Sequence, residues 1–326
     1  MLRRTMLAGL TAATLCLPLA SVAQAEALRI AIANFGEHPQ LNAVADGFRA
    51  ELTSSGMVEG VDVVFSVNHV NFDTTLLPQM IELISAGDPD LILAITTPVA
   101  QIVLNALGDE EIPLVFAAVT DPVAAGLVPS WEQGGENISG ASDGLDIAAT
   151  LRFAHELFPA ATRFGIPYNP GEANDVAMLE QFQAAAQGTA FTIVEGGIDT
   201  TNEIATRITA LARQADVIYG PASNLIQPAI AAVASSANEA GVPVINTDEG
   251  PVRDGIVPAS FSVSYTQIGH IAGRIAVQAL NGTPMAEIPP SRPAYEDHAV
   301  TISRSAMAAI GAEIPASFEG CDCIVD

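Results

Sequence analysis

Lysine is absent from this chain of 326 residues, and all 12 basic residues are arginine. Without a lysine amine, neither a Schiff-base enzyme nor the lysine-containing phosphate loop of nucleotide hydrolases is possible. Acidic residues outnumber basic ones and give a formal net charge of −25. Nucleic acid and anionic membrane surfaces are therefore poor partners, because like charges repel.

Long apolar runs are also missing, except at the N-terminus. Residues 6–22 are apolar, follow two arginines, and precede Ala23-Gln24-Ala25, which has the small-x-small form of a cleavage site. We expect a signal peptide over residues 1–25, by the general or the twin-arginine route, and a periplasmic protein. Removal of its two arginines takes the charge from −25 to −27.

Cysteine and histidine are too few and too scattered to indicate catalysis. Cys16 lies in the leader, and Cys321 and Cys323 lie in a polar tail over 320–326. A local disulfide, a bond between chains, a shared metal site or a frayed tail are all compatible with that pair. No two histidines have metal-ligand spacing, and neither a G-x-S-x-G elbow nor a dinucleotide fingerprint occurs. We expect no metal, no cofactor and no enzyme.

Alternating strand and helix patterns are what the chain does contain. Residues 91–95 are a continuous apolar run, a helix begins near Pro98, and a second apolar run covers 114–119. Such runs are typical of parallel strands buried on both faces. The same alternation begins again after residue 147. It predicts the α/β class, with two Rossmann-like lobes of parallel sheet that face one cleft, and a hinge near 143–146.

Candidate site residues follow from the strand ends. In an open parallel sheet, ligands bind beyond the carboxyl ends of the strands, where the next helices begin. Helix capping, turn formation or core packing are the alternative roles for Thr97, Thr120, Asp121 and Tyr168. The candidates are Phe35, Thr96, Thr97, Thr120, Asp121, Ser142, Tyr168, Asn169, Ser223, Asn224 and Asp248.

An ordered set of short segments carries a family resemblance along nearly all of the chain. They are residues 37–39, 97–101, 115–122, 126–128, 134–140, 168–174 and 237–240. Together they resemble the ABC-transporter substrate-binding proteins related to the tryptophan-binding TrpX type. The resemblance implies a type I periplasmic binding protein with three crossings between its lobes, a monomer that delivers a small ligand to an inner-membrane permease.

The lobe boundaries that follow are 26–143 with 260–284 for the first lobe and 144–259 with 285–319 for the second. We expect an open ligand-free form and a closed liganded form, related by rotation about the crossings. Docking on a membrane sensor instead of a permease is the alternative output of the same closure.

The resemblance implies an amino acid ligand, aromatic or aliphatic. Its carboxylate would be bound by helix amides with Thr97 and Ser142. Its ammonium would be bound by Asp248 with Asn224 or Asp121.

Apolar walls for the ligand side chain would come from Phe35 and Tyr168. One position departs from the family: an Asp-Asn pair is common there, where this chain has Ser223-Asn224. A solute other than an amino acid therefore stays open as an alternative ligand.

Overall fold

The computed structural model describes residues 26–108 and 110–326. The expected signal peptide lies outside these residues. Two sheets of mainly parallel strands, each covered by helices, confirm the predicted fold class. Among the described residues, no helix is both long and apolar enough to cross a membrane.

The first sheet has five strands, all parallel, in the order β2-β1-β3-β4-β5. Every residue of β3 is buried, as its continuous apolar run predicts. The strands are β1 (Leu28–Asn34), β2 (Val63–His69), β3 (Leu91–Ile95), β4 (Leu114–Ala117) and β5 (Ile138–Ala141).

The second sheet has seven strands in the order β12-β11-β10-β9-β8-β6-β7. Only β10 and β11 pair in antiparallel fashion among the described strands. The strands are β6 (Arg163–Tyr168), β7 (Thr192–Gly197), β8 (Val217–Gly220), β9 (Val244–Asn246), β10 (Ala259–Val263), β11 (His298–Ser303) and β12 (Ile324–Val325).

Helices cover both faces of each sheet. Those of the first lobe are α1 (Pro39–Ser54), α2 (Leu77–Ala86), α3 (Thr97–Leu107) and α9 (Tyr265–Leu280). Those of the second lobe are α4 (Ile147–Leu157), α5 (Ala173–Ala185), α6 (Ile204–Ala212), α7 (Ile230–Glu239), α8 (Gly250–Arg253) and α10 (Arg304–Ala309).

Glycines let α1 and α9 pack closely. A side chain at Gly47 would collide with the backbone of Thr266, and one at Gly269 would collide with the backbone of Val44. This contact attaches α9 to the first lobe, although the strand before it belongs to the second sheet. The N-terminus of α9 is thereby held at the crossing between the lobes.

The crossings lie a few residues beyond two of the expected boundaries. Since β10 pairs within the second sheet, the chain crosses at Ser264 and not at residue 260. Met285 and Ile288 are buried in the first core, and Ser291 still pairs with β5. The apolar pattern shows that these segments are buried, but not in which core. The exact lobe division therefore stays a prediction.

Trp131, the single tryptophan of the chain, lies at the last crossing between the lobes. Its ring comes from the loop between β4 and β5. The guanidinium carbon of Arg292, from the last crossing segment, is 5.0 Å from the ring centre. The crossing segment and the first lobe are thus joined by a cation–π contact.

The C-terminal tail contains a local disulfide, which is one of the four alternatives that the sequence leaves open, and it is not frayed. Cys321 and Cys323 form a disulfide, and β12 follows and pairs with β11. Cys323 and Ile324 also pack against the second core. A strand of two residues is too short to give a periodic signal in the sequence.

Candidate functional site

The carboxyl ends of strands from both sheets face each other across a cavity. Loops after all five strands of the first sheet, β1 to β5, form its first-lobe wall. Loops after β6 and β8 form its second-lobe wall. This is the strand-end position expected for a ligand in a parallel sheet.

Thr96 occupies a strained backbone position at the start of α3. Its dihedral angles, φ 86° and ψ 156°, fall in a region used almost only by glycine. The side chain is 3% exposed, does not cap the helix, and leaves its hydroxyl oxygen without a partner. Next to it, Thr97 is buried and lines the same cavity. The helix amides and this hydroxyl together can bind an anion.

Asp143 follows β5 and places a buried carboxylate at the cavity. It accepts hydrogen bonds from the Tyr265 hydroxyl at 2.7 Å and from the Thr120 hydroxyl at 3.0 Å. Burial raises the pKa of Asp143 above its ordinary value. Within the described residues no arginine forms an ion pair with it. A cationic group of a ligand can supply the missing positive charge.

Glu172 connects two loops of the second lobe. Its carboxylate accepts hydrogen bonds from the Asn224 amide side chain at 2.7 Å, from the Asn224 and Leu225 backbone, and from Asn169 and Asn174. The loops after β6 and β8 are therefore held to each other by one residue.

The orientation of Asn174 follows from this network. Its side-chain nitrogen donates to Glu172 at 3.2 Å and to Asp175 at 2.8 Å. A flipped amide would turn its oxygen toward two carboxylates, so the oxygen points away from them. That oxygen is buried, lacks a partner, and belongs to a residue lining the cavity. Asn174 therefore offers an acceptor to a ligand.

Asp175, behind Asn174, is buried and has an elevated pKa. Burial first, and then the charge of Glu172, raise its pKa to about 8. It accepts a hydrogen bond from the Asn169 backbone at 2.7 Å and another from the Asn174 side-chain nitrogen at 2.8 Å. The second lobe thus presents a second acid without a basic partner among the described residues.

Gln227 extends into the cavity from the second lobe. Its side chain is 5% exposed and lies near Asp248, yet neither amide atom completes a hydrogen bond. Asp248 accepts a bond from the Gly250 amide at 2.9 Å, and burial raises its pKa. His38 lies close to Asp248 from the first lobe, and burial lowers the His38 pKa. Polar groups of both lobes therefore meet here.

An aromatic pair forms the outer rim. Phe72 lines the cavity and packs edge-on against Phe35, with ring centres 5.5 Å apart. Phe72 and its neighbour Asn71 both have positive φ, and a side chain at Gly36 would collide with the Phe72 ring. Phe35 therefore supports the rim from behind and does not line the inner wall.

Five of the expected site residues line the cavity: Thr96, Thr97, Thr120, Ser223 and Asn224. Asp248 lies beside it, and Asn169 lines an adjoining space that shares Phe72 and Asn224 with the cavity. These positions agree with the strand-end prediction. A binding role for each residue stays a prediction.

Three other expected residues make structural contacts instead. Ser142 donates to the Thr120 carbonyl and accepts from Gly144. Asp121 accepts from two backbone amides of its own turn and from the side chain of Gln181 across the cleft at 3.0 Å. Tyr168 packs against the second core. For Asp121 and Tyr168, these contacts agree with the turn and core roles that the sequence offers as alternatives.

The sequence did not indicate several residues that line the cavity. Asp143 stood in the predicted hinge, although the strand-end rule that selected Thr96 applies to it equally. Tyr265 and Gln227 follow no predicted strand end, since they come from helical turns that tertiary packing brings to the cavity. The full set is His38, Gln40, Leu41, Phe72, Ala118, Asp143, Asn174, Ala222, Gln227, Pro228 and Tyr265.

A family model described as ABC transporter substrate binding protein matches residues 29–318. The chain belongs to this family. Its members are solute-binding proteins and not enzymes. The resemblance found in the sequence is thereby confirmed, and so is the type I periplasmic binding protein fold.

Among its relatives in the family is a tyrosine-binding protein of Clostridioides difficile, strain R20291. It is 35% identical over 260 residues, which are 80% of this chain and 74% of the relative. An ABC domain from Streptococcus pneumoniae in complex with L-Trp is 26% identical, with a TM-score of 0.84 over 90% of this chain and 97% of that one.

A ligand-free, open structure is less similar to the fold of this chain than the L-Trp complex is. It is a substrate-binding protein with adhesive properties from Clostridium difficile, 31% identical, with a TM-score of 0.69 over 91% of this chain and 98% of that one. The higher sequence identity comes with the lower structural agreement. The arrangement of the lobes therefore resembles the L-Trp complex more than the open form.

Proposed function

We propose that the protein binds a free α-amino acid between its lobes, with an aromatic amino acid preferred, and delivers it to an ABC permease. The observation that carries the proposal is the separation of unpartnered groups in one cavity. The start of α3 and the Thr96 hydroxyl supply donors, whereas the unpartnered Asn174 oxygen and the buried Asp143 carboxylate supply acceptors in the same cavity. An amino acid head group has the complementary arrangement of one anion and one cation.

The carboxylate subsite is the start of α3. The helix amides carry partial positive charge, and the Thr96 hydroxyl lacks a partner. The Gln227 amide nitrogen, unpartnered on the opposite lobe, is the third donor. This assignment keeps the expected helix amides and Thr97, and it replaces Ser142, whose hydroxyl is already used.

The ammonium subsite is formed by Asp143 and the side-chain oxygen of Asn174. An ammonium has three donors, and the Thr120 oxygen can accept the third. Asp248, the acid that the sequence favoured, lies beside the cavity and does not line it. Its neighbour His38 can hold it away from the ligand.

Closure follows from the origin of these groups. Thr96 and Asn174, the two ends of the proposed contact set, lie on different lobes. A bound amino acid therefore stabilises the closed arrangement over an open one, by its differential contacts with the two. The relatives that bind tyrosine and L-Trp support an aromatic ligand.

The family and the expected leader support the proposed location and partner. A cleaved signal peptide over residues 1–25 would place the protein in the periplasm. There the closed form would dock on an inner-membrane permease as a monomer. Copurification of the closed protein with a permease in detergent, and absence of a sensor kinase, is the result that we expect.

The test of the ligand uses three related molecules. Tyrosine, tyramine, which lacks the carboxylate, and 3-(4-hydroxyphenyl)propionate, which lacks the amine, are titrated calorimetrically into refolded mature protein. We expect tyrosine to bind and each analogue to bind at least about a hundredfold more weakly, since each leaves buried groups unpaired. At a hundred times its dissociation constant, tyrosine should add about 2.7 kcal/mol of stability.

Equal affinity for tyrosine and either analogue would contradict the proposed head-group contacts. Failure of all twenty amino acids to bind would contradict the amino acid ligand and favour another solute. Asp254 is exposed and lies outside the cleft. Asp254→Asn is therefore the matched control for removal of a carboxylate from the cleft, and it should bind tyrosine like the wild type.

A further inference from the structure

The two lobes make a direct side-chain contact beside the ligand cavity. The amide nitrogen of Gln181, on α5 of the second lobe, donates to Oδ2 of Asp121, in the loop after β4 of the first lobe, at 3.0 Å. Both side chains are half-buried, and neither lines the ligand cavity. The contact therefore joins the lobes without passing through a bound ligand.

Asp121 is positioned for this contact by its own turn. Its Oδ1 atom accepts hydrogen bonds from the amides of Val123 and Ala124, at 3.1 and 3.0 Å. The side chain of Gln101, on α3, donates to the carbonyl of Ala125 at 3.0 Å and holds the turn against that helix. Because the carboxylate is already fixed, little side-chain entropy is lost when the other lobe binds its Oδ2 atom.

The charge of Asp121 strengthens the contact. No arginine of the described residues forms an ion pair with this carboxylate. A hydrogen bond to a charged group contributes more than one between neutral groups. Rotation of the lobes away from each other would break the bond, since its two residues lie on opposite sides of the cleft.

We propose that Asp121 and Gln181 form a closure latch, which stabilises the closed arrangement with or without a ligand and raises the affinity for every ligand by the same factor. Apparent affinity scales with the fraction of the protein that is competent to bind. A residue that touches the ligand changes affinities unequally, whereas the latch changes only that fraction. The effect on affinity rests on the proposed function, but the effect on closure does not.

Gln181→Glu tests the latch, because it places a second carboxylate beside Asp121. We expect the closed fraction of the ligand-free protein to fall, and tyrosine and phenylalanine to bind more weakly by the same factor, about tenfold. Asp121→Asn combined with Gln181→Glu exchanges donor and acceptor. The new amide oxygen can still accept from the turn while its nitrogen donates across the cleft, so both affinities should return to within about threefold of the wild type.

Two measurements separate closure from binding. Spin labels at Gln79→Cys on α2 and Thr206→Cys on α6, both exposed, report the distance between the lobes in the ligand-free protein. Calorimetric titration gives the two affinities. Gln183→Glu, the same change at an exposed position of α5, is the matched control and should alter neither quantity.

An unchanged distance between the labels in Gln181→Glu would overturn the proposal. A change of more than about threefold in the ratio of tyrosine to phenylalanine affinity would also overturn it, because the pair would then act on the ligand itself. Failure of the double variant to recover would overturn it too, since the effect would then come from α5 and not from the contact. A wild-type protein that binds no amino acid would instead overturn the proposed function, and the label distances would still decide the latch.

Discussion

On the first-lobe side of the cleft, the site residues are positioned by backbone conformation, whereas on the second-lobe side they are positioned by a network of side-chain hydrogen bonds. Thr96 and Ala118 hold positive φ at two neighbouring strand ends. Across the cavity, Glu172 fixes Asn174 and Asn224 through hydrogen bonds. The difference matters because strain in the backbone does not titrate, but carboxylates do. Substitution at Thr96 should therefore act through shape, whereas the side-chain network that includes Asp175 should respond to pH.

Asp143, at the crossing between the walls, should give the largest effect. Asp143→Asn keeps the shape and can still accept from Tyr265, but it removes the charge that the proposed ammonium pairs with. Loss of one partner of a buried charge pair costs about 3–5 kcal/mol, or at least about a hundredfold in affinity. Calorimetric titration with tyrosine measures it. An affinity within threefold of the wild type would show that Asp143 does not bind the cation.

Thr96→Gly tests the backbone wall and should change stability and binding in opposite directions. Glycine adopts φ 86°, ψ 156° freely, so relief of strain should add about 1 kcal/mol to the free energy of unfolding of the ligand-free protein. Loss of the hydroxyl should weaken tyrosine binding about tenfold. Denaturant unfolding and calorimetry measure the two effects. A destabilised Thr96→Gly protein would mean that the strain is absent.

The pH dependence tests the side-chain wall and should be the smallest effect. The folded-state pKa of Asp175, about 8, is above its unfolded value of about 3.9, so the ligand-free protein should lose stability as pH rises from about 4 to 8. A bound ammonium favours the ionised carboxylates. Binding should therefore release protons, and affinity should rise a few-fold between pH 6 and 8.

Calorimetry in two buffers of different ionisation enthalpy measures the released protons. Asp175→Asn is the matched variant, and it should flatten the fall in stability between pH 4 and 8. Equal binding enthalpies in the two buffers would contradict the release of protons on binding.

How much the sequence could predict is clear from particular residues. The apolar run of β3 and Pro98 at the start of α3 are local signals in the sequence. They predict the strand, the helix and the position of Thr96 and Thr97 at the strand end. The parallel sheets follow from the alternation of such units. Local pattern determines these features because each depends on residues that are adjacent in the chain.

The rest of the site depends on packing between distant segments. Tyr265 lies 122 residues after Asp143 in the sequence. The two side chains meet only because α9 packs on α1. The unpartnered state of Gln227 and the orientation of Asn174 arise from neighbours on other loops. No spacing rule encodes such relations, and strand-end position alone therefore points to Asp248 as the acceptor.

The position of Trp131 allows lobe movement to be followed by intrinsic tryptophan fluorescence. Intrinsic indole emission comes from this one ring, which contacts Arg292 at the crossing between the lobes and does not line the proposed ligand cavity. Rotation about the crossing would change the surroundings of the ring without any contact to the ligand. Lobe movement could then be followed in real time by stopped-flow fluorescence with tyrosine, phenylalanine or any other solute that lacks an indole.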